Sequence, residues 1–394
     1  MVSQGCSVSS PQAPKLCEDH RVVLIHDWLT GMRGGEKVLE VLCGLFPEAP
    51  LFTLLHVPGS VSSIIENRTI KTSPLQRMPL AAKQYRRYLP LFPAFAEMTK
   101  AQDCDLVIST SHAVAKAMVA RSGSKPLHIC YIHSPMRYVW DRFDDYFGAD
   151  RVGRVRSRIF FRPIAKALQL YDRNTNERVD MFVANSSFVA ARVKRLYQRE
   201  AEVVPPPVDV ELFGSLERQP EDSYLVVSAL VPYKRVEHAI AACATLRRPL
   251  KIVGSGPEER RLAALARNLR ANVQFLGFLS GKELAGYYSR ARALLFPGIE
   301  DFGIVPVEAM ASGCPVIAFG EGGILDSMND STGVLYSEHT VHGLKSAICE
   351  FEDRSFDSAE IRKRSAAFNK DAFVNGFERV LAQVLSSKQS SFFR

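Results

Sequence analysis

Short apolar runs alternate along this chain with longer segments in which apolar residues return every three or four positions. The runs predict strands buried on both faces, and the segments between them predict crossover helices. In the first half, Val22–His26, Leu51–Leu55, Leu106–Ser109, His128–Ile132 and Met181–Ala184 read as strands. After Pro220 the alternation resumes with strands at Tyr224–Ala229, Leu250–Val253, Val273–Leu276, Ala293–Phe296 and Val316–Phe319. Helices fall around Glu237–Leu246, Glu258–Asn268, Lys282–Arg290 and Val305–Ser312. Between the halves, Val203–Phe213 (VVPPPVDVELF) carries prolines that can continue neither sheet nor helix, so it reads as a linker. The expected fold class is α/β: two Rossmann-like, doubly wound parallel-sheet domains facing a cleft, with ligands at the carboxyl ends of the strands. Expected boundaries are a disordered lead-in over 1–20, a first domain over 21–205, a linker over 206–220, a second domain over 221–370 and a C-terminal helix over 371–394, amphipathic from Ala372.

The most informative stretch is Leu294–Gly323, LLFPGIEDFGIVPVEAMASGCPVIAFGEGG. It reads as strand, loop, short helix, strand, with Pro306 in the first helical turn and Gly313 as the stop. Glu300 lies in the loop and Glu308 in the first turn or two, while Phe302-Gly303-Ile304 offers backbone N–H groups at the helix start. One carboxylate can hold vicinal hydroxyls of one sugar and the other those of a second, with N–H donors between. A capped helix of any α/β protein would show much of the same pattern.

Four further loops carry chemistry at predicted strand ends. His26–Lys37 (HDWLTGMRGGEK) opens a helix through Gly34 and Gly35, which would let backbone approach a ligand closely, and Arg33 is a possible anion contact. A tight strand-to-helix turn would also use that pair. His133 ends the strand in CYIHSP; His26 and His112 stand at other strand ends, and a lone histidine is more often structural than catalytic. Ser228–Glu237 (SALVPYKRVE) places Lys234 and Arg235 at a helix start, where the helix dipole disfavours cations unless an anion joins them. Val253–Glu259 (VGSGPEE) is a glycine turn through Gly254 and Gly256; as G-x-G without a third glycine it is a weak dinucleotide signal.

The relation of Glu300 to Glu308 within EDFGIVPVEAMASGCPVIA, followed by Gly322-Gly323, resembles the donor-site motif of glycosyltransferase family 4, whose members are retaining enzymes of the GT-B fold. The stretch Tyr131–Trp140 (YIHSPMRYVW), with Ser228–Lys234, is similar to bacterial mannosyltransferase-type members that act in O-antigen and exopolysaccharide assembly. The resemblance covers nearly all of residues 21–385. It implies that Glu308 binds ribose hydroxyls and Glu300 hexose hydroxyls, with the N–H groups of Gly303 and Ile304 nearby. It implies that Lys234 neutralises the donor diphosphate, with Arg235 standing in for an arginine the family often has where this chain has Ala229. Gly254, Gly256 and Phe278 would line the nucleotide pocket, Gly34 and Gly35 would touch donor phosphate or acceptor, and His133 would sit by the transferred sugar. The last helix would cross back to the first domain. The implied activity is transfer of a hexose, with mannose from GDP-mannose as the best guess, to a hydroxyl of a lipid-linked glycan.

Other classes fit less well. A non-hydrolysing sugar-nucleotide epimerase would share the fold, and a non-catalytic sugar-nucleotide-binding protein would fit the departure at Ala229. A nicotinamide oxidoreductase rests only on the paired Rossmann-like halves and the G-x-G. Glycoside hydrolysis needs two carboxylates across the scissile bond, whereas Glu308 lies on a helix leading away. Asp103-Cys-Asp105 is a D-x-D, read here as the start of the strand at Leu106; with Lys234 and a helix terminus for the diphosphate, no metal is expected, and no cofactor beyond the donor itself.

Composition changes this picture at three points. Apolar content of 46% and charged content of 23% are those of an ordinary globular protein, and no apolar run reaches the roughly 18 residues of a membrane span. The N-terminus lacks a basic start and an apolar core, so it is not read as a secretory signal. Eight scattered cysteines without C-x-x-C spacing fit a reducing compartment, with Cys130 and Cys314 expected inside strands. The net charge of +8 has two local sources, Lys71–Lys100 with AAKQYRRYLPLFPAF and Arg151–Arg178 with RVGRVRSRIFFRPIAKAL. Both mix arginine with aromatics and leucine, which suits an anionic membrane surface; no nucleic-acid module accompanies them. Solvated helix faces would look similar. The expected location is cytoplasmic and peripheral to the inner face of the plasma membrane.

Overall fold

A computed structural model describes residues 20–99, 101, 103–119, 125–148 and 153–392. Of the expected lead-in, only His20 lies among them. The chain forms two compact units: one of Met1–Asn185, Ala190–Val204 and Val374–Arg394, the other of Ser186–Val189 and Pro205–Phe373. Each is a parallel sheet flanked by helices, the two-Rossmann architecture read from the sequence.

The first sheet holds seven strands, β1 (Val22–His26), β2 (Leu51–Thr53), β3 (Ile70–Thr72), β4 (Leu106–Ser111), β5 (Leu127–Ile132), β6 (Met181–Ala184) and β7 (Ala201–Val203), in the order β3-β2-β1-β4-β5-β6-β7. The second holds β8 (Tyr224–Val227), β9 (Leu250–Val253), β10 (Val273–Gly277), β11 (Leu294–Phe296), β12 (Val316–Phe319) and β13 (Gly333–Tyr336), in the order β10-β9-β8-β11-β12-β13. Central strands such as β4 and β12 are buried along their whole length, which is why they read as unbroken apolar runs. In each sheet the order reverses direction once, between β1 and β4 and between β8 and β11. Ligands of doubly wound sheets bind outside the carboxyl ends of the strands at such a reversal.

Three strands escaped the sequence reading. The edge strands β3 (IKT) and β7 (AEV) are largely solvent-facing and so lack an apolar signature, and β13 (GVLY) is an edge strand of the second sheet. The linker reading is corrected at both ends. Ala201–Val203 closes the first sheet, and Val210–Gly214 forms a helix capped by the Asp209 carboxylate, which accepts from Leu212 N at 3.0 Å. The prolines themselves carry neither strand nor helix. Cys130 lies in β5 as expected, but Cys314 sits in the turn before β12, buried like Cys130.

One buried histidine ties stability to pH. His128 lies in β5, where Nδ1 meets the Arg178 carbonyl at 2.8 Å and Nε2 meets the Ser109 hydroxyl at 2.8 Å. The carbonyl only accepts, so Nδ1 carries the proton, and Nε2 accepts from serine. Burial pushes its pKa down to about 4, against about 6.5 in an unfolded chain. Between those values the unfolded chain binds a proton that the folded one refuses. Stability is therefore full above about pH 6.5 and is lost as pH falls toward 4, by about 3 kcal/mol from this group. His112 and His133, also held low chiefly by burial, act in the same direction. Urea unfolding from pH 7 to 4.5 should show this slope, and a flat profile would refute it.

Candidate active site

In the second unit, the two strands that flank the reversal each deliver a residue singled out by the sequence. Beyond β8, the turn Pro232–Lys234 carries Lys234; beyond β11, the loop carries Glu300. Their side chains form an ion pair, only 13% and 21% exposed. The loop is pinned from β12, where Gly323 N donates to the Glu300 carbonyl at 2.9 Å.

The helix Ile304–Ala311 follows, with Gly303 as its N-cap in a left-handed conformation (φ 90) and Pro306 in the first turn, where an N–H would have no intrahelical partner. Gly303 and Ile304 thus stand at its amide end. Glu308 faces inward, 6% exposed, and its Oε2 accepts from the buried Tyr288 hydroxyl at 3.1 Å. Burial, and then the Glu308 charge, hold the Tyr288 pKa well above its ordinary value, so the phenol remains a donor. Sequence reasoning missed Tyr288, since nothing local links it to a residue on another helix.

The glycine turn braces the Lys234 loop. Leu230 N donates to the Ser255 carbonyl at 2.9 Å, and Glu258 N to the Leu230 carbonyl at 3.1 Å. Gly254 has φ +125, and a Cβ there would lie 1.9 Å from the Ser228 carbonyl oxygen. A Cβ on Gly256 would lie 2.4 Å from the Leu230 carbonyl oxygen. Gly254 N also donates to the Gly277 carbonyl at 2.7 Å, which sets Phe278, 84% exposed, beside the same turn. Arg235, with φ 53, caps the helix Val236–Leu246, and its guanidinium lies 3.7 Å from Glu237 rather than on Glu300.

In the first unit, three histidines meet at the carboxyl ends of neighbouring strands. His26 ends β1, His112 follows β4 and His133 follows β5. Ring centroids lie 6.2 Å apart for His26 and His112 and 6.3 Å apart for His112 and His133. His26 Nδ1 meets the Thr110 hydroxyl at 2.7 Å, and its Nε2 points at Glu36 Oε1, 3.8 Å away. Burial alone would raise the Glu36 pKa, but the nearby His26 imidazole and its own backbone N–H bring it below the ordinary value. Asp27 is fully buried; its two oxygens accept the backbone N–H groups of His112, Ala113, Val114 and Ala115 at 2.7 to 2.9 Å. It also faces His112 Nδ1 at 3.2 Å, which orients that ring. Neither Asp27 nor Glu36 was singled out from sequence, although GGEK contains the acid at the third position of a glycine-opened helix.

The helix Gly34–Leu45 begins at the two expected glycines. A Cβ on Gly35 would lie 3.3 Å from His133 Nε2 and 3.6 Å from His26 Cε1, so the helix start rests on both imidazoles. The buried His133 Nε2 has no hydrogen-bond partner among the described residues. Burial, then the charges of His112, His26 and Arg137, keep its pKa well below the ordinary range. It is a neutral imidazole with an open nitrogen, suited to a hydroxyl. The D-x-D carboxylate of Asp105 is taken by Arg21 at 3.2 Å, at the start of β4.

Comparison with known proteins identifies the parts. Residues 19–212 match the family described as Glycosyltransferase Family 4, and residues 209–370 match Glycosyl transferases group 1. The chain carries these two glycosyltransferase domains in tandem. Over 181 residues it is 33% identical to a glycogen synthase of Mycobacterium tuberculosis, covering 43% of this chain and 43% of that protein. Over 246 residues it is 28% identical to the D-inositol 3-phosphate glycosyltransferase of Mycobacterium bovis, covering 54% of this chain and 51% of that protein. The chain thus spans about half the length of the curated relatives it matches. Solved structures share the fold. The sucrose-phosphate synthase of Thermosynechococcus elongatus superposes with TM-score 0.67 at 19% identity, over 93% of this chain and 100% of that one. Anabaena HepE in complex with UDP and glucose superposes with TM-score 0.65 at 15% identity, over 92% and 99%. These neighbours place the two domains in the GT-B class.

Proposed function

We propose that this chain is a retaining glycosyltransferase that moves a hexose from a nucleotide-diphosphate sugar to a hydroxyl of a lipid-linked glycan, at the cytoplasmic face of a membrane, in cell-surface polysaccharide assembly. The observation that carries the reading is the Lys234–Glu300 ion pair at the reversal of the second sheet. An ammonium suited to a diphosphate stands beside a carboxylate suited to hexose hydroxyls, which supports a site for the bond between sugar and phosphate. In the reaction that bond breaks, the acceptor oxygen bonds the anomeric carbon from the same face, and the acceptor proton leaves with the departing phosphate. Lys234 and the amide end of the helix at Ile304 stabilise charge as it builds on the leaving group. The scheme calls on no metal. Among the described residues no helix is long and apolar enough to cross a membrane, which is consistent with peripheral attachment.

GDP-mannose is the first donor to test. UDP-glucose is the second, favoured by the fold neighbour that binds UDP and glucose. A donor at a hundredfold its Kd stabilises by about 2.7 kcal/mol, so thermal shifts across GDP-, UDP- and dTDP-sugars should single out one base. Glu308→Ala should abolish that shift, because it removes the carboxylate proposed for the ribose. The reading fails if no nucleotide sugar stabilises the protein, or if Glu308→Ala binds the donor as well as the parent does.

A further inference from the structure

The second unit has a cleft at the amino-terminal edge of its sheet, away from the strand ends that lead to Lys234 and Glu300. It encloses about 600 Å³. Arg292 enters it just before β11 and Pro315 just before β12, while Glu217 to Pro220 lead toward β8. Phe351 to Arg362 complete the wall. Four arginines line it, Arg218, Arg292, Arg354 and Arg362, against two acids, Glu217 and Glu352. They are scattered over the second half of the sequence, and only the fold brings them together.

These charges are unevenly met. Glu352 is already held by Arg248, at 2.6 and 2.8 Å, and by the Tyr224 hydroxyl at 2.8 Å. Arg354 pairs with Glu350 at 3.0 Å. The Arg292 guanidinium lies 3.6 Å from Asp222 and 3.7 Å from Glu352, and no described residue hydrogen-bonds it. Its N–H donors are therefore still to be given. Arg218 donates to the carbonyls of Tyr288, Ser289, Ala291 and Arg292 at 2.8 to 3.4 Å. Arg362 donates to those of Gly214, Leu216 and Ser312 at 2.8 to 3.2 Å. Neither of the two has a carboxylate partner among the described residues. Their carbonyl partners include the ends of the helices Gly281–Arg290 and Ile304–Ala311. Each helix end supplies about half a negative charge, so roughly one of these two positive charges stays unmet. Capping explains their hydrogen bonds but not the charge that remains.

We propose that this cleft is a second ligand site, for a hexose monophosphate, with the phosphate on Arg292 in the field of Arg218 and Arg362. A concave surface with excess charge of one sign concentrates the opposite ion, and guanidinium is the side chain best matched to phosphate. The volume lies within the roughly 300–1,000 Å³ of small-molecule pockets, far more than a free phosphate fills. Glu217, exposed at the cleft, disfavours a second phosphate but can accept from hydroxyls. A nucleotide base would find the ring of Phe356 already taken: Phe351 stacks on it at 5.3 Å, and the Arg354 guanidinium lies over it at 5.0 Å. One phosphate, several hydroxyls and no base describe a sugar phosphate. The inference does not rest on the transfer reading, since the cleft and the Lys234–Glu300 pair lie at opposite edges of one sheet.

Calorimetric titration of the full chain with mannose 6-phosphate and mannose 1-phosphate tests it, with mannose and inorganic phosphate as controls. At least one ester should bind, more weakly as salt rises, and mannose should not. Arg292→Gln should weaken binding by about tenfold or more, the value of a hydrogen bond to a charged group. Ala359→Glu should weaken it about as much, because it sets a like charge against the phosphate. Ala359 lines the cleft and is exposed in the first turn of the helix Ser358–Ser365. An acid suits that end of a helix, so the thermal midpoint should not fall. Lys234→Ala should bind the ester as the parent does. Four results would each overturn the proposal: neither ester binds, inorganic phosphate binds as tightly, both cleft variants keep full affinity, or Lys234→Ala abolishes binding. The last would move the ester to the proposed diphosphate site.

Discussion

Replacing Lys234 with alanine is expected to lower kcat by about 100- to 1000-fold, the range seen when one preorganised donor to developing negative charge is lost. The ammonium is held against Glu300 in a mostly shielded setting, where it is 13% exposed. A fixed charge there needs no reorganisation when the sugar–phosphate bond breaks. The loss should therefore fall mainly on kcat, with a smaller rise in KM for the donor. Glu300→Gln gives the complementary result: nucleotide affinity by thermal shift is kept, and turnover falls, because the amide still reaches hexose hydroxyls but no longer accepts from both sides. Steady-state kinetics with the donor found by the sugar panel would decide this. Normal turnover by both variants would place the chemistry elsewhere.

Gly254→Val should be strongly damaging without removing any charge. The backbone there has φ +125, and a Cβ would lie 1.9 Å from the Ser228 carbonyl oxygen. Neither strand end can retreat, since Ser228 N donates to the Val253 carbonyl and Gly254 N to the Gly277 carbonyl. Strain and overpacking together cost about 3 kcal/mol or more. That corresponds to a fall of roughly 10 °C in the melting midpoint of a unit this size. Donor binding should go with it, because the turn braces the loop that carries Lys234. Gly59→Ala is the control: φ is +76, but nothing lies within 4 Å of the added carbon, so the cost should be only about 1 kcal/mol. Calorimetry on the two variants separates crowding from backbone conformation, and equal midpoints would refute the argument.

The sequence was most legible where burial is complete. Strands such as Val22–His26, Leu250–Val253 and Val316–Phe319 run as read, and the helix between Glu300 and Val316 is displaced by one residue from its expected bounds. Legibility failed at edges: β3 and β7 carry polar or mixed side chains because water, not protein, lies against them. Motif residues were readable because loop glycines and paired acids stand out locally. Their partners were not. Tyr288 reaches Glu308 from another helix, and Asp27 is recognisable only once the chain has folded four N–H groups of residues 112–115 around it. Arg235, expected to stand in for the arginine the family often has at the place of Ala229, has a left-handed backbone and lies 3.7 Å from Glu237.

The first unit draws its last segment, Val374–Arg394, from beyond the second unit in the sequence. That segment carries Phe377 and Leu381, both fully buried. During synthesis the amino-terminal sheet must therefore wait, with part of its apolar complement missing, until the whole of the other unit has left the ribosome. Premature termination anywhere in the second half would leave not one finished half-protein but two incomplete ones, a natural target for chaperones and proteases.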